Sequence, residues 1–343
     1  MRLVVTGGCG FIGSNFVRHV LKERAGWRIT VLDALTYAGN LANLADVSSN
    51  SGLTLVRGDI ADSVVVRSTL NGADAVVNFA AESHVDRSIL DSAPFIRTNV
   101  MGTHCLLEVA REQGLGRFLQ VSTDEVYGSL GAQGRFTEET SLAPNSPYSA
   151  SKAAADLLVR AYVHTHGVQA LVIRSSNAYG PYQFPEKLIP LMIANAMSEQ
   201  PLPVYGDGLH VRDWVHVGDL CAAVLCVLEG GRQGEVYNVG GGNELTNLHV
   251  VRRILELTGA AASLIQFVPD RPGHDRRYAM DHSKLTAELG WRPAHSFDDG
   301  LRETVEWYRA NDSWVRGVRS GEYLTYYERQ YAARLTAGSG TAR

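Results

Sequence analysis

The sequence predicts a doubly wound α/β fold: a parallel sheet with helices on both faces and a smaller C-terminal α/β lobe. Two observations carry that expectation. Short β-branched runs alternate with helix-length segments through the first half of the chain, which is the rhythm of βαβ units. A glycine turn, Gly7-Gly8-Cys9-Gly10-Phe11-Ile12-Gly13, follows the first of these runs directly and opens the next helical stretch.

Taken in order, Leu3-Val4-Val5, Ile29-Thr30-Val31-Leu32, Leu53-Thr54-Leu55-Val56, Ala75-Val76-Val77 and Phe118-Leu119-Gln120-Val121 read as buried strands. Leu171-Val172-Ile173 is a sixth. After Arg174 the rhythm breaks, and prolines and glycines become dense from Gly180-Pro181 to Gly206 and Gly208. Helices around Leu248–Thr258 and Leu301–Ala310 are expected there, in a second lobe over the carboxyl edge of the sheet, where open α/β proteins bind ligands. Val236-Tyr237-Asn238-Val239 reads as a strand returning to the main sheet. The expected division is therefore 1–174 with about 215–242 as the first domain, and about 175–214 with 243–335 as the second. The small, polar residues 336–343 read as a flexible tail.

Composition narrows the function classes. The 343 residues are 45% hydrophobic and 20% charged, with a net charge of −4. Such a balance gives no electrostatic reason to expect nucleic acid or an acidic membrane surface. No apolar run approaches the roughly 20 residues needed to span a bilayer. The first strand starts at Arg2-Leu3, so no signal peptide is expected. Cys9, Cys105, Cys221 and Cys226 show no C-x-x-C pair or metal spacing and read as reduced thiols of a cytoplasmic protein.

The glycine turn is spaced G-x-x-G-x-x-G, a variant of the dinucleotide fingerprint. Its chemistry needs a tight turn, a bare backbone beside a pyrophosphate and close helix–strand packing. Gly7, Gly10, Phe11, Ile12 and Gly13 are thus candidate cofactor contacts. Asp33 ends the second strand, 20 residues after Gly13, where a carboxylate accepts the adenosine ribose hydroxyls and repels a 2′-phosphate. NAD is favoured over NADP. Asp59-Ile60 ends the third strand at a position suited to adenine, the alternative for Asp59 being a helix cap or turn residue. Phe79-Ala80-Ala81 ends the fourth, with small residues where a cofactor crosses the sheet edge.

Further along, Ser146-Pro147 reads as an N-cap followed by proline at the first helical position. Tyr148 then falls in the first turn, with Lys152 one turn later on the same face. A phenol with a pKa of about 10 is a poor base at neutral pH. A neighbouring ammonium and the positive helix end are expected to stabilise its phenolate. Tyr148 then takes the proton from a substrate hydroxyl while that carbon gives up a hydride.

With Thr123-Asp124-Glu125-Val126-Tyr127-Gly128 these segments resemble the extended short-chain dehydrogenase/reductase family, and within it the dTDP-glucose 4,6-dehydratases. The resemblance also runs through Ala80–Ser88, Pro144–Lys152, Asn177–Pro190, Gly206-Asp207-Gly208, Arg212–His216 and Asp270–Tyr278. The related 4-epimerases usually read Ser-Ser-x-x-Val-Tyr-Gly, without the acid pair. The resemblance implies a Rossmann-type fold and C4 oxidation of a nucleotide hexose. Water is then lost across C5 and C6, and hydride returns to C6. Glu125 is the expected base at C5, Asp124 the acid at C6, and Thr123 the partner of the C4 oxygen beside Tyr148. On a straight strand the two acids face opposite ways, so the chain is expected to turn just after Thr123.

By resemblance, Ala34, Leu35, Thr36, Ser83, Thr98 and Ala178 join the cofactor site. Lys187 and Arg212, helped by Arg271, are the expected diphosphate cations. Ser83 and His84 face the hexose or pyrophosphate edge, and Asn177, Leu188, Pro203 and Tyr205 match substrate positions. So do Asn247, His274 and Tyr278. Ala178 stands where many relatives carry a second asparagine, which leaves only a backbone contact there. No metal site is expected among the eleven histidines. The resemblance further implies a homodimer joined by helices near Pro94–Arg111 and Pro147–His164, with dTDP-glucose as substrate. Two other readings are a dehydration or epimerisation of a UDP- or GDP-sugar and a non-catalytic dinucleotide sensor. Intact Tyr148, Lys152, Asp124 and Glu125 argue against the sensor.

Overall fold

The computed structural model describes residues 1–319, with 325, 327, 328, 330, 331, 334 and 335 of the remainder. The tail at 336–343 lies outside the described residues.

Among the described residues there are twelve strands: β1 (Arg2–Thr6), β2 (Arg28–Asp33), β3 (Leu53–Arg57), β4 (Ala75–Asn78), β5 (Arg117–Thr123), β6 (Ala170–Ser175), β7 (Asn177–Tyr179), β8 (Leu202–Tyr205), β9 (Val211–His216), β10 (Val236–Val239), β11 (Glu244–Thr246) and β12 (Ile265–Val268). Seven form one parallel sheet in the order β10-β6-β5-β4-β1-β2-β3. The strand expected at 236–239 does return to this sheet, beside β6. Chain order reverses between β1 and β4, and that switch point opens a crevice at their carboxyl ends.

Both faces of the inner strands are covered, which is why β1, β4, β5 and β6 are buried along nearly their whole length, while edge strand β3 stays partly exposed. Leu3, Val5 and Leu119 pack on one face against Phe16, Val17 and Val20 of helix Phe11–Glu23 and Leu220, Val224 and Val227 of helix Val217–Gly230. Val4, Val76 and Phe118 point the other way, against Leu106, Leu107 and Val159. Each such side chain contributes about 1.5–3 kcal/mol of burial. The second lobe has its own core, in which Ile189, Met192 and Ile193 meet Val250, Ile254, Leu301 and Val305. Two small sheets, β11-β9-β7 and β12-β8, complete it.

One expected helix differs. The stretch near Pro94–Arg111 is helical throughout but not uniformly α: a π-helical segment at Ile96–Gly102 lies between Ala93–Phe95 and helix Thr103–Glu112. Asn99 inside it binds both the N–H and the C=O of Glu82 (2.9 and 3.0 Å) and takes up Ser151 Oγ (2.8 Å). The widened turn is thereby tied to the segment after β4, a common use of π-bulges beside functional sites.

Among the described residues no helix is long and apolar enough to cross a membrane. All four cysteines are free, two buried and two half-buried.

Candidate active site

The crevice is a cavity of about 1130 Å³, walled by both lobes. At its cofactor end the glycine turn is sterically obligatory. A Cβ on Gly13 would lie 2.2 Å from the Gly7 carbonyl oxygen and 2.8 Å from Gly8 Cα. Gly10, Phe11 and Ile12 share that wall. Asp33 accepts the N–H groups of Cys9 and Leu35, both at 2.8 Å, and burial pushes its carboxyl up. Ala34, Thr36, Ile60, Phe79, Ala80, Ala81, Thr98 and Ala178 also line the cavity. Leu35 does not: with φ of 54° it gives its N–H to Asp33 and packs its side chain on the sheet core. Asp59 is on the wall, and also fills its alternative role by accepting the N–H of Ala61 (2.8 Å) and pairing with Arg97.

The chemistry-bearing groups come from two elements. Helix Pro147–His166 starts with the expected cap at Ser146, which forms a reciprocal capping box with Ser149 and is worth about 1 kcal/mol. Tyr148 and Lys152 are both buried on its inner face. β5 ends at Thr123, and a 3₁₀ turn over Asp124–Tyr127 follows, capped by the Thr123 hydroxyl accepting from Glu125 N (3.2 Å). That turn brings both carboxyls to the cavity wall. Gly128 ends it with φ of 83°, and a Cβ there would sit 2.3 Å from the Ala143 carbonyl oxygen.

Electrostatics separates the two acids. Burial, then the charge of Glu125, pushes Asp124 well above the ordinary carboxylate range. Burial also raises Glu125, but Lys187, Arg271 and Arg212 oppose it. Asp124 is therefore the member that keeps a proton, and Asp124 Oδ1 accepts the Thr123 hydroxyl at 3.0 Å.

Tyr148 departs from expectation. Burial and the charges of Glu125 and Asp124 push its phenol up, outweighing the hydrogen bond from Thr123. Lys152 is lowered to about 8 by burial and gives its ammonium to the Val121 carbonyl at 2.7 Å. The spacing was right, but the desolvation of a fully enclosed phenol outweighs the helix end.

At the far end stand the cations. Lys187 reaches the Ser83 carbonyl (2.6 Å) and lies 6.0 Å from the Tyr148 ring centre. Arg212 is held by the Val211 and Asp275 carbonyls (2.8 and 2.9 Å) and packs over Tyr278. Arg271 pairs with Asp86 at 3.3 Å. His84, Asn177, Leu188, Pro203, Tyr205, Asn247 and His274 line the same space. Buried polar atoms without a protein partner cluster on this wall: Asp124 Oδ2, Asn177 Oδ1, Asn247 Oδ1 and Arg271 Nε. Such orphans are uncommon and mark a surface shaped for polar ligands.

Four wall acids were missed. Glu82, Asp86, Asp91 and Glu186 all face the cavity, although Glu82 and Asp86 sit inside the quoted Ala80–Ser88 segment. The signal of Asp86 was only visible in space: Tyr205 donates to it at 3.1 Å from β8, 119 residues away. Tyr331 also reaches the wall, from a region without any motif. A histidine cluster was missed as well. Ligand atoms of His210, Asp270 and His274 lie within 4.8 Å of one another. The imidazoles stack nearly parallel, 3.8 Å apart and 14° between planes, with Asp270 bonding His274 at 2.6 Å. Arg271 and Arg212 beside His274 oppose a further cation, so the carboxylate serves to orient the imidazoles.

A glycine-cradled switch point joined to a buried Tyr–Lys helix defines an extended short-chain dehydrogenase/reductase. Comparison with known proteins narrows the class. A family model described as GDP-mannose 4,6 dehydratase matches residues 4–304. The dTDP-glucose 4,6-dehydratase of Streptomyces niveus is 53% identical over 329 residues, covering 95% of this chain and 98% of that one. That of Xanthomonas campestris pv. campestris (strain B100) is 54% identical, covering 93% and 96%. The solved structure of DesIV, the dTDP-glucose 4,6-dehydratase of Streptomyces venezuelae with NAD and TYD bound, superposes with a TM-score of 0.91 at 52% identity, covering 93% and 100%. The chain belongs to the dTDP-glucose 4,6-dehydratase family.

Proposed function

We propose that the protein dehydrates dTDP-glucose to dTDP-4-keto-6-deoxyglucose, using NAD that is regenerated in every turnover; it is then a hydro-lyase. The observation that carries this reading is the presence of Asp124 and Glu125 on one cavity wall with Tyr148. A 4-epimerase needs the tyrosine but has no step for two further carboxyls.

The cofactor end fits a dinucleotide, because the Gly7–Gly13 turn lies bare against the cavity and closes so tightly that a Cβ at Gly13 would strike the Gly7 carbonyl oxygen. Gly7, Gly10, Phe11, Ile12 and Gly13 would hold the pyrophosphate, Asp33 the adenosine ribose, and Asp59 with Ile60 the adenine. NAD supplies the redox chemistry when bound, accepting a hydride from C4 and returning it to C6. Tyr148 Oη takes the C4 hydroxyl proton as its phenolate, a form favoured because the protonated Asp124 removes one of the two charges that raise the phenol, with Thr123 Oγ1 orienting that oxygen. The new carbonyl acidifies C5–H, and Glu125 removes that proton. Asp124, kept protonated by burial, gives its proton to the C6 hydroxyl, which leaves as water. Glu125 returns its proton to C5 at the end. Lys187, Arg212 and Arg271 neutralise the diphosphate, arginine suiting bidentate contact. Ser83, His84, Asn177, Leu188, Pro203, Tyr205, Asn247, His274 and Tyr278 shape the rest of the sugar-nucleotide site.

Residues 1–174 with about 215–242 act as the cofactor domain in this reading, and the other lobe as the substrate domain. The four free thiols suit a reducing, cytoplasmic setting. The protein works as a homodimer. Incubation of purified protein with dTDP-glucose, followed by mass spectrometry, tests the reading. Loss of one water without net consumption of NAD is expected; an unchanged mass with inverted C4 configuration would show an epimerase instead.

A further inference from the structure

Beneath the cavity, and not lining it, lies a buried polar chain that links the two chemistry-bearing elements. Asp156 sits on the Tyr148 helix, one turn past Lys152, and is 3% exposed. Its Oδ2 accepts Arg174 Nε of β6 at 2.8 Å. Arg174 NH1 donates to the hydroxyl of Tyr127 at 2.9 Å, and that hydroxyl donates to Asn238 Oδ1 of β10 at 2.8 Å. Tyr127 is the last residue of the 3₁₀ turn that carries Asp124 and Glu125. Its ring stacks on Phe136, with centres 4.9 Å apart. Asn238 is itself fixed by Glu138 Oε1 (2.8 Å) and the Phe136 carbonyl (3.2 Å).

A buried ion pair of this kind is rarely the cheapest way to stabilise a core, since apolar groups of equal volume often do as well. What it supplies is a fixed geometry. Here Arg174 spends one arm on the helix and another on the turn, and its planar fork sets the angle between them. Those elements serve different halves of the reaction. The helix carries the hydroxyl-to-ketone step through Tyr148, and the turn carries the elimination through Asp124 and Glu125.

We propose that Arg174, anchored by Asp156, is a positioning residue that holds the Asp124–Glu125 turn in register with the Tyr148 helix through the hydroxyl of Tyr127. The proposal rests on the dehydratase reading. It makes the elimination half of the cycle depend on a hydroxyl that touches neither substrate nor cofactor. Asp156 has a second effect, because its charge supports the ammonium of Lys152 against burial.

The test is Tyr127→Phe, which keeps the ring, its stacking and its volume. In single turnovers with dTDP-glucose, reduced cofactor is followed by its near-ultraviolet absorbance and product by rapid-quench mass spectrometry. C4 oxidation should stay within about twofold of the parent rate, whereas water loss should slow by about tenfold, as expected for losing a hydrogen bond to a charged group. Reduced cofactor and the 4-keto hexose then accumulate transiently. Arg174→Lys, whose single ammonium cannot serve Asp156 and Tyr127 with the same fork, should show the same split. Equal slowing of both steps, or no slowing of either, in the two variants would overturn the proposal. Failure of the parent protein itself to release dehydrated product would overturn the dehydratase reading instead, so the two failures are distinguishable.

Discussion

Asp124 and Glu125 are chemically near-identical neighbours whose surroundings assign them opposite work. Asp124 is 2% exposed, its second carboxylate oxygen has no protein partner, and an adjacent charge raises it further. Glu125 is half-buried, and three cations oppose its protonation. Glu125→Gln should block exchange of the C5 proton with solvent by at least about 10²-fold while leaving C4 oxidation measurable. Rapid C5 exchange in that variant would remove Glu125 from its role. The pH dependence has a definite sign. Glu125, raised above its ordinary value, loses its base form as pH falls through that raised pKa. Lys152, lowered to about 8, loses its ammonium as pH rises through it. C4 oxidation should therefore decline above about pH 8, and Lys152→Met should abolish that limb of the profile while slowing oxidation. A limb that persists in the variant would contradict the assignment. The residue types were legible in sequence because each sits in a tight motif. The rise of the Tyr148 phenol was not, since desolvation depends on what the second lobe places over it.

The glycine turn, the Tyr148 helix and the post-β5 turn were all readable as elements. Each has a local cause: a backbone with no room for Cβ, a serine–proline cap, a threonine that ends its own strand. The π-helical segment at Ile96–Gly102 was not readable, because Asn99 forms it through contacts with Glu82 and Ser151. Nor was Leu35, whose side chain turns to the core once its backbone adopts a positive φ. Gly13→Ala puts a methyl 2.2 Å from the Gly7 carbonyl oxygen. The turn's backbone must shift to admit it, so the variant should purify with little bound NAD, as read by absorbance after heat release of the cofactor, and should melt at a lower temperature than the parent. Full NAD occupancy would show that the turn is not the pyrophosphate cradle.

At the scale of the molecule, the two lobes meet along one cavity in which cofactor and substrate walls are continuous. The wall acids Asp86 and Glu186 and the aromatic Tyr331 were illegible because they belong to contacts between distant segments. Exposed Leu157 lies on one of the two helical stretches proposed for the dimer, and exposed Ile96 and Met101 on the other, where they also border the cavity; exposed apolar side chains on a proposed interface are what a second copy would cover. Leu157→Glu with Met101→Glu should convert a dimer to a monomer in light scattering; a parent protein that is already monomeric would refute the dimer.

The central claim, that one hydride travels from C4 to C6 within a single bound cycle, is tested most directly by isotope. With dTDP-glucose deuterated at C4, the account predicts a dehydrated product that carries the deuterium at C6 and none in the solvent. Deuterium retained at C4, or washed out into water, would contradict it.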